Sequence, residues 1–226
     1  MFERPVQSAD ACFPDTAGMP ATDEIKAAVP RRHARRMSDL GRLVYWLFRN
    51  DPPEPEDAIV YATTFTEARA LEAYLESLPH ASPLAFQTSI HPGAVQQAMI
   101  ALGRPVRTLL PLAGEEDLFT RMCLTGLTQQ SGRVFLLTGE ERGDRLLHHG
   151  LASATTWALC LRLGPGSGEG NKRAGTLRWE RTSTARENDT ATPPPSATEI
   201  ARAVHRRTPL NLPTPMGGTV YLTWTP

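Results

Sequence analysis

Cysteine is scarce in this sequence: Cys12, Cys123 and Cys160 are the only three, odd in number and widely spaced. That pattern offers neither a disulfide framework nor a C-x-x-C metal site, and a reducing compartment is the expectation. Long apolar runs are missing too, since nothing approaches the roughly 18 apolar residues that a membrane span needs. The first residues, MFERPVQSADACFPD, hold no apolar stretch of signal-peptide length, so a cytoplasmic protein without a membrane span is expected. Nor is there an excess of charge. Lys plus Arg and Asp plus Glu number 24 each, which removes any global attraction to nucleic acid or anionic membrane and leaves only local patches. Two motifs are also absent in working form. No G-x-S-x-G elbow occurs, which argues against a serine hydrolase of the α/β type. The glycines of GPGSGEG, at 164–170, stand between two strand-like segments, whereas a phosphate cradle needs a helix directly after it.

What is present is ordinary globular composition over 226 residues, 40% hydrophobic and 21% charged, which suits one domain with a sizeable core. Residues 1–30 show no periodicity and read as an irregular N-terminal arm. From Arg35 onward Met37, Leu40, Val44 and Leu47 mark one face of a helix that ends before DPPEPED. AIVYATTF (58–65) reads as a buried strand. Thr64 and Glu67 have capping-box spacing ahead of a stripe of Ala68, Leu71, Leu75 and Leu78. After a loop at HASP, a further helix is expected to start at Pro92, with His91 at its entrance. VRTLLPLA (106–113), EDLFTRMCLTGLTQQ and RVFLLTG (133–139) then give strand, helix and strand. This alternation predicts an α/β fold, a mostly parallel sheet with helices on both faces. ATTWALCLRLG (154–164) and GTLRWERTS (175–183) read as an antiparallel hairpin. Residues 184–195 are a polar, Pro-rich connection. In the last segment, 196–226, a helix capped by Ser196 and Glu199 precedes TVYLTW as an edge strand completing the same domain.

Few side chains suggest chemistry by themselves. RRHARR (31–36) is either the solvated entrance to a helix or a phosphate-binding patch of Arg31, Arg32, Arg35 and Arg36. No nucleic-acid module accompanies it. His148 and His149 are adjacent, so they diverge on a helix or a strand, and no other ligand stands at metal spacing. Cys123 shares a helical stripe with Phe119, Met122 and Leu127 and reads as a buried, inert thiol; Cys160, in an apolar strand, is judged the same way.

The segments RRMSDLGRLVYW, SPLAFQTSIHPGAVQQAMIALGRP and LLPLAGEEDLFTRMCLTGLTQQSGRVFLLTGEE, in this order and spacing, resemble the N-terminal half of a β-ketoacyl synthase. More narrowly they are similar to short ketosynthase-like chain length factors of aryl polyene and xanthomonadin-type biosynthesis. The resemblance covers about residues 31–164, with weaker agreement beyond, within a ketosynthase N-terminal-like domain of 31–183. It implies a thiolase-like fold with antiparallel C-terminal strands. It also implies a nucleophilic cysteine in the turn after the strand that follows the S-I-H helix, and that position falls at or near Ala113 in this chain. Alanine cannot form an acyl thioester. Glu115, Glu116 and Asp117 in the next turn would further oppose a thiolate at a helix N-terminus.

The second half of a complete ketosynthase, with its two catalytic histidines, is missing, and neither His205 nor the His148 pair stands in a context to replace them. The resemblance therefore implies a catalytically silent subunit. It would pair as a heterodimer with a catalytic β-ketoacyl synthase acting on acyl groups carried on the phosphopantetheine of an acyl carrier protein, and would bind no cofactor or metal of its own. Phe86, His91, Gln96, Met99, Leu112 and Ala113 are the candidates for a substrate tunnel or interface, each of them equally consistent with core packing. The four arginines are candidates for carrier-protein or phosphate contact. A stand-alone acyltransferase or thioesterase using His91 with a serine such as Ser89 is the competing reading.

Overall fold

In the computed structural model, which describes residues 1–65, 67–114, 117–130, 132–150, 154–165, 173–181 and 195–225, the chain runs in this order. First come β1 (Phe2–Cys12), α1 (Thr22–Ala28), α2 (Arg31–Ala34), α3 (Asp39–Phe48) and β2 (Ala58–Thr63). Next are α4 (Ala68–Glu76), α5 (Pro83–Ser89), α6 (Gly93–Leu102), β3 (Thr108–Ala113), α7 (Leu118–Leu127) and β4 (Val134–Glu140). The last are α8 (Asp144–His148), β5 (Trp157–Leu163), β6 (Gly175–Glu180), α9 (Ala197–His205), β7 (Leu210–Thr214) and β8 (Gly218–Trp224). All eight strands join one sheet in the order β3-β2-β4-β5-β1-β6-β8-β7. The parallel part of the expected sheet is the block β3-β2-β4, and from β4 outward every pairing is antiparallel.

β2, β4 and β5 are buried along their whole length, which is why they read as continuous apolar runs rather than alternating ones. Successive side chains still point to opposite faces. Ala58, Val60, Val134, Leu136, Leu159 and Leu161 pack with Met122 and Cys123 of α7 and with Ile200 and Val204 of α9. Ile59, Tyr61, Phe135, Leu137 and Cys160 pack on the other face with α3 and with Val95, Ala98 and Met99 of α6. The helices α7 and α9 thus cover one face, and α3 and α6 the other. The sheet curls as well, so that α7 touches β2 and β4 and also β6, β7 and β8.

The structure corrects several expectations. Residues 1–30 are not an irregular arm: they hold α1 and the strand β1, paired on one side with β5 and on the other with β6. FERPVQSADAC has little strand propensity, but two flanking ladders outweigh propensity, and a register shift between Val6 and Ser8 follows closely after Pro5. The buried Arg4 fastens the strand further, donating to the carbonyls of Gln129, Gly132 and Gly164. Insertion of β1 also separates β5 from β6, so these two strands are not a hairpin. β8 is interior and β7 is the edge.

The helix expected from Arg35 begins only at Asp39, because Ser38 caps it by accepting from the Gly41 N–H at 2.9 Å; Met37, Leu40, Val44 and Leu47 are all buried as expected. The Thr64–Glu67 box does not form, since the Glu67 carboxylate is used elsewhere. The helix α5 went unrecognised although Ser82 caps it and Pro83 opens it. The Ser196–Glu199 box forms as expected. Most of the 184–195 connection lies outside the described residues, as do Glu115 and Glu116 and the centre of the Gly-rich turn.

A close approach fixes Gly139 in β4: a Cβ there would lie 2.6 Å from the Trp157 carbonyl oxygen and 2.8 Å from Leu40 Cδ1. Gly139→Ala is expected to lower stability by about 1–3 kcal/mol, read as a lower urea midpoint at unchanged slope. A midpoint equal to that of the parent would refute the close packing of β4 against β5 and α3.

Candidate functional site

The carboxyl ends of the three parallel strands open at one edge of the molecule, the position where sheets of this type hold their ligands. Ala113 ends β3, opposite Thr63 of β2. Gly114 follows with φ of 140°, a conformation open to glycine, and Asp117, at φ of 53°, is the N-cap of α7. Thr120 Oγ1 donates to the Asp117 carbonyl at 2.8 Å. Arg121 lies over this turn, its Nη1 3.5 Å from where a Cβ on Gly114 would stand. Ala113 is exposed and Leu112 half-buried, so the expected nucleophile position is accessible and carries only a methyl group. The nearest cysteine in sequence, Cys123 on α7, is fully buried, and burial pushes its thiol well up; Cys12 and Cys160 are likewise pushed up to about 12.

Two acids follow the other parallel strands. Glu141, just after β4, is buried and accepts four backbone N–H bonds at the starts of two helices. Its Oε1 receives Asp39 and Leu40 of α3, at 2.9 and 3.4 Å, and its Oε2 receives Arg69 and Ala70 of α4, at 3.2 and 3.3 Å. Glu67, four residues after β2, is fully buried and accepts from Ala94 of α6 at 2.6 Å. Burial raises its carboxyl to about 7, the Ala94 N–H and its own N–H lower it, and nearby Glu141 raises it further. Burial raises Glu141 as well.

His91 stands at the entrance of α6, as expected, its ring 4.8 Å from that of Tyr61. Burial lowers its pKa, which favours the neutral imidazole, and burial lifts the Tyr61 phenol well above its usual range. Both His91 nitrogens, the Tyr61 hydroxyl and Glu67 Oε2 are buried and have no hydrogen-bond partner among the described residues. Sequence reading found His91 but missed Glu67 in this role and Glu141 altogether. The signal for Glu141 was the acid pair Glu140–Glu141 at the end of a strand that opens with the apolar run Val134–Leu137.

The sequence candidates do not converge on one site. Phe86 is half exposed on α5 against the ring of Tyr74, and Met99 is buried in the core against α3. Ser89 Oγ donates to the Phe86 carbonyl at 2.8 Å and makes no bond to His91, so the proposed serine–histidine pair is not assembled. Gln96 lines a cleft of about 650 Å³ between α2, α5 and α6, together with Arg32 and Arg36 but without Arg31 or Arg35. The His148 and His149 rings, expected to diverge, lie 5.3 Å apart edge to face. The stripe expected to be buried on α4 is not: only Ala68 is covered, while Leu71, Leu75 and Leu78 are 40–51% exposed. Among the described residues no helix is long and apolar enough to cross a membrane.

No protein-family model and no curated protein matches this chain. Solved structures do. One is a ketosynthase in complex with its chain length factor from Xenorhabdus doucetiae, matched at 18% identity over 99% of this chain and 100% of that chain with a TM-score of 0.64. Another is a β-ketoacyl synthase from Burkholderia phymatum, at 12% identity over 90% of this chain and 69% of that chain with a TM-score of 0.56. The chain has the thiolase-like fold of these ketosynthases, as its sequence resemblance implied.

Because Glu67 holds its proton to about pH 7 in the folded chain and only to about 4.5 when unfolded, its burial costs stability progressively as pH rises through that interval. Glu67→Gln, whose amide oxygen can still accept from Ala94, is expected to gain melting temperature relative to the parent between pH 5 and pH 8. A difference that does not change with pH would refute the assignment.

Proposed function

We propose that this chain is a catalytically silent ketosynthase-like subunit, a chain length factor that pairs with a catalytic β-ketoacyl synthase. The observation that carries the reading is the turn at Ala113: it has the setting of a nucleophile turn, at the end of a parallel strand and before a buried helix, with no thiol to acylate. The packing of β6, β8 and β7 against α7 supports it, because the helix that backs this turn is covered by later strands of the same sheet. The fold shared with a chain of the Xenorhabdus doucetiae ketosynthase–chain length factor complex supports a ketosynthase-like partner role.

Pairing would use two features. Among the described residues β3 is the sheet edge beside this turn, paired only with β2, and its TLLPLA sequence is half exposed. An unpaired apolar strand is a liability unless a partner covers it. The second feature is the ridge of Leu71, Leu75 and Leu78 on and after α4 with Phe86 of α5, exposed hydrophobics of the kind that mark protein interfaces. In the complex the substrate would be an acyl chain carried on the phosphopantetheine of an acyl carrier protein, and this subunit would help to bound the channel that receives it. The pathway type suggested by the resemblance is aryl polyene or a related polyketide or fatty-acid-type synthesis. No cofactor of its own is needed for that role.

Co-expression with a catalytic ketosynthase from the same gene neighbourhood is expected to give a complex of fixed stoichiometry that condenses carrier-bound malonyl units, with activity or product length changed when this subunit is omitted. Leu75→Asp with Phe86→Asp should abolish co-purification by at least ~10-fold while leaving the circular dichroism spectrum unaltered, as expected for central interface anchors. A well-folded monomer beside a ketosynthase that works unaltered without it would end this reading.

A further inference from the structure

The cleft between α2, α5 and α6 is not needed for the pairing just described, and none of its lining residues belongs to the Ala113 turn, to α7 or to the ridge of α4 and Phe86. Its volume of about 650 Å³ is that of a small-molecule site. Its chemistry is divided. At one side stand Arg32, His33 and Arg36; the Arg32 Nε–H is given to His33 Nε2 at 2.9 Å. Neither arginine makes an ion pair with a carboxylate among the described residues, and no carboxylate lines the cleft. The rest of the wall mixes the neutral polar side chains of Gln87, Thr88, Gln96 and Gln97 with an apolar part, the buried Met37 and Leu84, Ile90 and Ile100 at 47, 46 and 64% exposure.

Two unneutralised guanidinium groups in a protein with no net charge form a local field for an anion, and guanidinium forks suit carboxylate and phosphate oxygens. An inorganic anion would leave the aliphatic wall wet. A neutral apolar molecule would leave the arginines unanswered. The two requirements meet in one kind of molecule.

We propose that this cleft binds a free anionic amphiphile, its carboxylate or phosphate head between Arg32 and Arg36 and its apolar tail along Leu84, Ile90 and Ile100. Such a ligand is not carrier-bound and does not react; it occupies a site separate from the Ala113 turn. Gln96 and Gln97 also line the cleft and can donate amide N–H groups to the head; Gln97 is held in place through its Oε1, which accepts from Ser38 N–H at 2.8 Å.

The test is calorimetric titration of the full chain with dodecyl phosphate below its micelle concentration, with dodecanoate as the carboxylate arm. Inorganic phosphate serves as head alone and dodecyl maltoside as uncharged tail. Saturable one-to-one binding of dodecyl phosphate or dodecanoate is expected, weakened at least ~10-fold by Arg32→Glu with Arg36→Glu, since each lost charged hydrogen bond is worth about a factor of ten or more. Those arginines are exposed, so the variant is expected to keep its fold, checked by its melting temperature. Ile100→Glu should weaken the same ligands, and inorganic phosphate should bind at least ~100-fold more weakly than dodecyl phosphate. Absence of saturable binding by both amphiphiles overturns the proposal. So does equal binding of dodecyl maltoside, or affinity unchanged in the arginine variant. Binding of an acyl carrier protein without any amphiphile binding would also overturn it, and would assign the cleft to a protein partner. Failure of any of these leaves co-purification with a ketosynthase unaffected, so the two readings are tested apart.

Discussion

One buried carboxylate organises the end of the molecule where the parallel strands open. Glu141 follows β4 and takes the free N–H groups of α3 through one oxygen and those of α4 through the other. The first turn of any helix has N–H groups without partners inside the helix, and its dipole favours a negative charge there. A single acid that serves two helix starts fixes the angle between them and anchors both to the strand end. Glu67 repeats the device at α6 through Ala94. Three helices are therefore placed by two acids. Burial opposes the charge on each acid, while the N–H groups it receives favour that charge.

From that anchoring follows the distribution of covered and open surface. With α3 held by Glu141, its apolar face and that of α6 close one side of the sheet. α4 begins at the same anchor, runs outward and packs mainly against α5, which leaves its leucines without cover. On the other side of the sheet the strands β6, β8 and β7 curl round α7, and Leu177, Leu212, Val220 and Leu222 complete its surroundings. The exposed apolar surface is thus not spread over an incomplete core. Of the ten exposed large hydrophobics among the described residues, seven lie between Leu71 and Ile100. That concentration matches a surface meant for something else, whether a partner protein on the α4–α5 ridge or a small molecule in the neighbouring cleft.

A second network holds the opposite end of the sheet. Arg162 is buried on β5 and pairs with Asp10 of β1 and with Asp51. Arg133 shares Asp51 and adds Asp57, so that two strands and the turn before β2 are tied by two guanidinium groups and three carboxylates. Linked, partly buried charges of this kind are satisfied together or not at all, which favours a single register over neighbouring ones. Buried Arg4 acts similarly through carbonyl oxygens.

The sequence by itself determined the buried strands, the apolar faces of α3 and α7, the cap of α9 and the alanine at the expected nucleophile position. Each is a local property: continuous or periodic apolar spacing, a serine three residues before a glutamate, the identity of one side chain. Only the tertiary structure decided that FERPVQSADAC is a strand, since β5 and β6 supply its partners from about 150 and about 170 residues away in the chain. It also decided that Glu67 caps α6 rather than its own helix, and that Leu71 and Leu75 face outward. Helical periodicity reports that a face is apolar, but whether that face meets the core or a surface depends on where the helix is anchored, and the anchor here is an acid after a different strand. Long-range pairing and burial are written in no single segment, which is why the site's acids and its open ridge came into view only when the chain was folded.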